Sequence, residues 1–409
     1  MQKRPLARLF PVLLLNLIAF AIAIPVLPAL AKDLGGGSVD VTLLYAIQAL
    51  GQFIMAPIWG SLSDKFGRRP ALLATFIGAA VFEMLTAFTG ELWMLYAARL
   101  LVGFCAGNVA TATALISDAT DAESRSKGMA IIGISFGVGF TIGAGLGAGI
   151  STFEVPGPGL MGSGLPFACA SILYIVTAIV GFFVLLEPAK DEKARRTNRV
   201  RIDLGLIRRL LARPAFRLMC ALFFFYTIAV TIMEATFFLY AEAVFGFQEK
   251  EVGMIFAGLG ILMAIVQGGI GRLSAVLGDR AMTGLGISLL AAGLIVSPID
   301  KALWFLLVFL GIATIGRALA HPGTLSLTSN LSETPSETGK IMGVLQSSGS
   351  LARIVGPAMG GFAFEYIAVE APFMVAGGIL GITGLTWWVV SNRPEVRDAL
   401  SGGREAAQT

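Results

Sequence analysis

Long apolar runs alternate with short polar breaks along this chain, and a helix needs about 20 apolar residues to cross a bilayer. Twelve runs of that kind can be marked, near 9–31, 40–60, 71–90, 92–117, 128–151, 164–187, 215–245, 249–275, 282–298, 301–329, 340–365 and 370–391. Six precede a polar, Arg-rich stretch at 187–213 and six follow it. The pattern predicts an all-α membrane protein in two halves. An N-terminal six-helix bundle covers 1–187, a cytoplasmic linker 188–213, a C-terminal six-helix bundle 214–392 and a cytoplasmic tail 393–409. Within the linker, the mixed apolar and basic run 202–211 predicts a short helix on the inner leaflet.

Composition agrees with that pattern. Hydrophobic residues make up 56% of the 409 positions and charged residues 14%, and the mean hydropathy is +0.81. A soluble domain carries about 25% charge, so lipid must cover much of the surface. The net charge of +4 then reflects loop lysines and arginines, not a nucleic-acid surface. Lys3, Arg4, Arg8, Lys65, Arg68, Arg69, Arg125, Lys127, the linker, Arg272, Arg280, Lys340, Arg393, Arg397 and Arg404 fall on one side. The opposite loops hold little beyond Lys32, Lys250 and Lys301. Positive charge marks the inside, which places both termini in the cytoplasm and the chain in the inner (plasma) membrane. Cys105, Cys169 and Cys220 sit in separate apolar runs without a CxxC pair, and no metal or cofactor is implied. One histidine, no HExxH and no GxxxxGK[ST] phosphate loop argue against an enzyme and against ATP-driven work.

The most strongly charged break is Gly60-Ser61-Leu62-Ser63-Asp64-Lys65-Phe66-Gly67-Arg68-Arg69-Pro70. Gly60 and Gly67 are expected to take unusual backbone angles and Pro70 to start the next helix. Gly271-Arg272-Leu273-Ser274-Ala275-Val276-Leu277-Gly278-Asp279-Arg280 repeats it at an offset of 211 positions (271 less 60). Gly, Leu, Ser, Gly and one Arg stay in register, while Ala275 replaces Asp64. The chain reads as two copies of one unit.

Gly60-x-Leu62-x-Asp64-x-x-Gly67-Arg68-Arg69 resembles the loop 2–3 motif of the major facilitator superfamily. With Pro25-Val26-Leu27-Pro28, the chain resembles over nearly its whole length the drug:proton antiporter branch that contains the tetracycline-efflux proteins. The resemblance implies the major facilitator fold, twelve transmembrane helices in two pseudo-symmetric six-helix bundles. It also implies a substrate site between the bundles and alternating access. It implies a conformational latch at Gly60, Asp64, Gly67, Arg68 and Arg69, with Asp118 the expected carboxylate partner of Arg68. A topology signal without a latch is the alternative.

Three positions bear on the branch. Asn16 stands where tetracycline-efflux proteins carry an acid nine residues before the first proline, so no carboxylate on the first segment handles protons. Gly139-x-x-x-Gly143-Ala144-x-x-Gly147-Ala148 resembles the antiporter motif with alanines at 144 and 148 in place of Pro and Gly. The second half has the fuller form, Gly356-Pro357-x-x-Gly360-Gly361. Arg99-Leu100-Leu101-Val102-Gly103 resembles the fourth-helix motif whose arginine is linked to proton transfer, a structural ion pair being the alternative.

The ionisable groups inside apolar runs are Glu83, Arg99, Glu234, Arg317, His321 and Arg353. A charge in hydrocarbon is costly, which makes each a candidate for function. Glu234 is the first choice as proton carrier, then Glu83, with Arg99 and His321 as further coupling candidates. The substrate-binding candidates are Asn16, Tyr226, Glu234, Phe237, Arg317, His321 and Arg353. Arg317 and His321 are four apart and share a helix face. Tyr226 and Phe237, about three turns apart, can flank Glu234 on one aromatic wall suited to a bulky amphipathic compound. Three arginines against two glutamates suit an anionic or zwitterionic substrate, unless the arginines are consumed by the glutamates. Two readings stay open: a proton-coupled exporter of an amphipathic small molecule or drug, and an importer or facilitator of an organic anion or lysolipid-like zwitterion. The expected partners are a small-molecule substrate, protons and the lipid bilayer, with no nucleic acid and the protein a monomer.

Overall fold

The computed structural model describes residues 4–106, 111, 115, 125–153, 164–185, 187, 204–332 and 335–400. The first half holds α1 (Arg4–Asp33), α2 (Ser38–Phe66), α3 (Arg68–Ala87), α4 (Leu92–Cys105), α5 (Arg125–Ile150) and α6 (Leu165–Val184). A short helix, α7 (Leu204–Ala212), lies in the linker. The second half holds α8 (Pro214–Phe245), α9 (Glu249–Gly268), α10 (Ile270–Leu277), α11 (Asp279–Val296), α12 (Leu303–Asn330), α13 (Pro335–Tyr366), α14 (Ala371–Val390) and α15 (Pro394–Leu400).

Each of the twelve predicted segments contains a helix, and nine helices among the described residues are long and apolar enough to span a membrane. α13 is not among the nine, because Gln346, Ser347, Ser348, Ser350 and Arg353 lower its hydropathy. Two details differ from the sequence pattern. The eighth segment is broken at Gly269 into α9 and α10. The charged break after α2 is also far tighter than expected: α2 continues through Gly60 to Phe66, and Gly67 alone separates it from α3. Gly60 is therefore an ordinary helical residue, and Pro70 is the third residue of α3 instead of its first. A proline in the first helical turn removes only an amide that has no intrahelical acceptor.

The chain divides into two compact units. The first comprises residues 1–201 and 241–261, the second 202–240 and 262–409.

In the first unit α1 contains Pro11, Pro25 and Pro28 and remains one helix of 30 residues. Membrane helices tolerate proline where neighbours re-satisfy the freed backbone groups. α5 lies directly on α1. A Cβ added at Gly139, Gly143 or Gly147 would fall 2.7 Å from the Leu17 Cβ, 2.4 Å from the Ile18 carbonyl or 2.2 Å from the Ile22 carbonyl. The glycines of the antiporter-like motif thus permit backbone contact between these helices. Its alanines meet α9, where a Cβ at Gly253 would lie 2.1 Å from that of Ala148.

The second unit repeats this device. Gly349, Gly356 and Gly360 of α13 face α8, where added Cβ atoms would fall 2.5 Å from the Phe223 ring, 2.1 Å from the Thr231 hydroxyl and 3.0 Å from the Thr236 methyl. Arg353 lies between these glycines at helical spacing, so it is the long polar side chain of the stripe that α13 presents to α8.

Candidate functional site

Gly67 has φ 111° and ψ 156°, a conformation essentially reserved to glycine. Its amide donates to the Ser63 carbonyl at 3.1 Å and ends α2. The first two amides of α3, of Arg68 and Arg69, donate to Oε1 and Oε2 of Glu187, each at 2.8 Å. One carboxylate therefore caps a helix N-terminus, where backbone donors and the helix dipole favour negative charge. Arg68 Nη1 donates to the Ser63 hydroxyl at 2.6 Å. Arg69 Nη2 donates to the Phe182 carbonyl, and its guanidinium lies 4.9 Å from the centre of the Phe182 ring. The Asp64 side chain and Asp118, the expected acids of the latch, lie outside the described residues. Glu187 was not anticipated. Its one signal is an acid at the junction of the sixth apolar run and the basic linker.

Arg99 and Glu83 meet inside the first unit. Nη2 of Arg99 lies 2.6 Å from Glu83 Oε2 and 2.6 Å from the Thr86 hydroxyl, with the guanidinium over the Phe167 ring at 5.3 Å. Only 1% and 2% of the two side chains is exposed. Asn16, on α1, is likewise buried. Spacing explains part of this: Glu83 and Thr86 are three apart on α3 and offer one face to Arg99. Phe167 and Thr86 had no place among the sequence candidates.

Five of the remaining candidates, Tyr226, Glu234, Arg317, His321 and Arg353, assemble in the second unit. Arg317 Nη1 of α12 lies 2.6 Å from Glu234 Oε1 of α8, with 28% and 27% of their side chains exposed. This pair is open where Arg99–Glu83 is sealed. Arg317 also lies close to the Tyr226 side chain. One turn along α12, His321 stacks on the Tyr226 ring, centroids 6.0 Å apart, and lies 5.9 Å from the ring of Phe223. Phe223, three residues before Tyr226 on α8, completes this aromatic group and was not on the sequence list. Phe237 is fully buried in the packing around α8.

Arg353 lies within electrostatic reach of Glu234, Arg317 and Tyr226. Among the described residues no carboxylate pairs with it and no hydrogen bond engages it. With Glu234 ionised, one negative and two positive groups leave this cluster with one excess positive charge. Such a site can hold an organic anion through a forked guanidinium contact, with aromatic rings beside it. No group of His, Cys, Asp and Glu suited to a metal ion is found among the described residues.

Comparison with known proteins agrees in both halves. The family model described as Major Facilitator Superfamily matches residues 9–274 and 235–408. The class D tetracycline resistance protein of Salmonella ordonez is 30% identical over 378 residues, which is 89% of this chain and 90% of that protein. The class C tetracycline resistance protein of Escherichia coli is 29% identical over 353 residues, 84% of this chain and 85% of that protein. The crystal structure of the human organic anion transporter MFSD10 (TETRAN) superposes with a TM-score of 0.74 at 25% identity, covering 94% of this chain and 99% of that one. The chain belongs to the Major Facilitator Superfamily, and it is a multi-pass membrane transporter, not an enzyme.

Proposed function

We propose that this protein exports amphipathic small molecules carrying an anionic group, by alternating access across the inner membrane, with both termini cytoplasmic and the monomer as the working unit. The observation that carries this reading is Arg353, a cation on the α8-facing stripe of α13 with no carboxylate paired to it among the described residues. Arg353 takes the anionic group of the substrate, and Tyr226, Phe223 and His321 offer flat surfaces to its apolar body. Relatives named as tetracycline resistance proteins support drug export, and a relative of known structure is named an organic anion transporter.

Protons enter through Glu234. When ionised it occupies Arg317; when protonated it releases Arg317 to the substrate. Proton and anion therefore reinforce each other's binding, as linkage requires. This sign disfavours export of an anion against an entering proton, and the inside-negative potential drives the anion out instead. A second reading, proton antiport of a cationic drug, rests on the partial exposure of Glu234. In that case the cation would compete with both Arg317 and the proton.

One experiment separates the two. Affinities of the purified protein are measured for a panel of amphipathic anions, zwitterions and cations, with and without Arg353→Gln. Losing a charge-assisted contact of about 1.5–3 kcal/mol weakens anions roughly tenfold to a hundredfold and leaves cations equal or tighter. Tight cation binding that Glu234→Gln abolishes would overturn the anion reading.

A further inference from the structure

The outer face of the first unit carries a groove of about 680 Å³ between α3 and α6, lined by residues that include Leu73, Ile77, Val81, Leu85, Ile179 and Phe182. Its wall exposes no polar surface. The one hydroxyl present, that of Ser171, is spent on the Ala80 carbonyl at 2.7 Å. Nothing in the groove can hold a polar solute, so it lies outside the site described above.

The groove is not apolar to its end. Arg69, Leu73, Ile77 and Val81 recur every four residues on α3, so Arg69 tops the same stripe. Phe182, which lines the groove, carries the Arg69 guanidinium on its ring at 4.9 Å. Among the described residues that guanidinium meets only the Phe182 ring and carbonyl, and its Nε has no acceptor. Glu187, the acid at this helix end, has both oxygens turned to backbone amides of α3. Lys65 and Arg68 add positive charge at the same end.

We propose that this groove is a binding site for one anionic phospholipid of the cytoplasmic leaflet, its acyl chain along α3 and α6 and its phosphate at Arg69. The lengths agree. From Leu73 to Leu85 the helix rises about 18 Å at 1.5 Å per residue, close to the roughly 15 Å depth of one leaflet's hydrocarbon. A second copy of this chain would cover the whole span of the face, whereas a lipid covers one leaflet and brings the charge that Arg69 lacks. Basic residues at the inner membrane surface favour anionic lipid for the same reason.

Native mass spectrometry of the full-length protein in detergent tests this, with phosphatidylglycerol and phosphatidylcholine of identical acyl chains as probes. One phosphatidylglycerol should be retained about tenfold more tightly than phosphatidylcholine, the size of a single charge-assisted contact. Arg69→Gln should make the two lipids equal. Val81→Trp, which fills the groove from an exposed position and leaves the arginine intact, should release both. Equal retention of both lipids by the unaltered protein, or phosphatidylglycerol binding that survives Val81→Trp, overturns the proposal. A dimer that Val81→Trp disrupts would assign the face to a second copy and overturn it as well.

Discussion

Gly67 and Gly278, 211 positions apart, adopt the same glycine-only backbone, φ 111° and ψ 156° in one, φ 74° and ψ 150° in the other. Each donates its amide to a serine carbonyl four residues back, Ser63 at 3.1 Å and Ser274 at 2.9 Å. Two residues later Arg69 bonds the Phe182 carbonyl in the last turn of α6, and Arg280 bonds the Ser391 carbonyl just after α14 at 3.2 Å. Each half thus ties the helix that follows this glycine to the end of its last long helix. The acid differs. Glu187 comes from the far end of the first half to cap α3, whereas Asp279 sits in the first turn of α11 and accepts from the hydroxyls of Ser274 and Ser326.

That difference predicts unequal costs for one substitution. Alanine at either glycine forces a strained backbone worth about 1–3 kcal/mol. At Gly67 the new Cβ would also lie 2.8 Å from Glu187 Oε1, while at Gly278 nothing lies within 4 Å. Gly67→Ala should therefore lower the melting temperature in detergent more than Gly278→Ala. In a Glu187→Ala background the gap should close. A gap that persists there would show that Glu187 is not its source.

The repeat, the twelve spans and the i, i+4 spacing of Arg317 and His321 were legible because they are properties of one helix or of one copied segment. What stayed hidden depends on distant packing. Nothing local joins Arg317 to Glu234, 83 positions earlier, or Glu187 to an amide 119 positions before it. Arg317 and His321 share a face, yet one turns to a carboxylate and the other to aromatic rings, because α8 offers Glu234 and Tyr226 two turns apart. Gly60 was misleading for a related reason. Glycine permits a turn but does not require one, and α2 continues through it as a helix.

Glu83 and Arg99 are both at most 2% exposed and bonded to each other, so removing either partner strands the other charge in a low dielectric. Breaking such a pair costs about 3–5 kcal/mol, while replacing both partners by apolar groups of similar volume is often near neutral. Glu83→Leu and Arg99→Met should each sharply lower thermal stability, and the double variant should recover most of the loss. Additive losses in a double-mutant cycle would mean that the two residues act separately.

The role proposed for Glu234 predicts a pH dependence whose sign follows from charge. With the carboxylate ionised the cluster carries one excess positive charge; with it protonated, two. Anion affinity should therefore rise on acidification, and Glu234→Gln should fix the high-affinity form and flatten the profile. Affinities of one amphipathic anion with no titration of its own over the range, measured across that range, check this. Affinity that falls on acidification would point to competition between substrate and proton, the signature of the cationic reading.

In the proposed reading the direction of transport rests on the membrane potential. A monovalent anion crossing an inside-negative potential of 100 mV gains about 2.3 kcal/mol, enough for a roughly fiftyfold outward gradient. In this reading Arg317 and Glu234 neutralise one another without a bound proton, so the return step needs no proton to balance Arg317, and the excess charge stays on Arg353. In proteoliposomes, efflux of a non-titrating amphipathic anion should accelerate when a potassium diffusion potential makes the lumen negative, and slow when the sign is reversed. A proton gradient at zero potential should change affinity, through Glu234, without by itself building an anion gradient. Accumulation driven by the proton gradient alone, lost in Glu234→Gln, would instead establish obligatory coupling and make Glu234 the carrier of the driving ion.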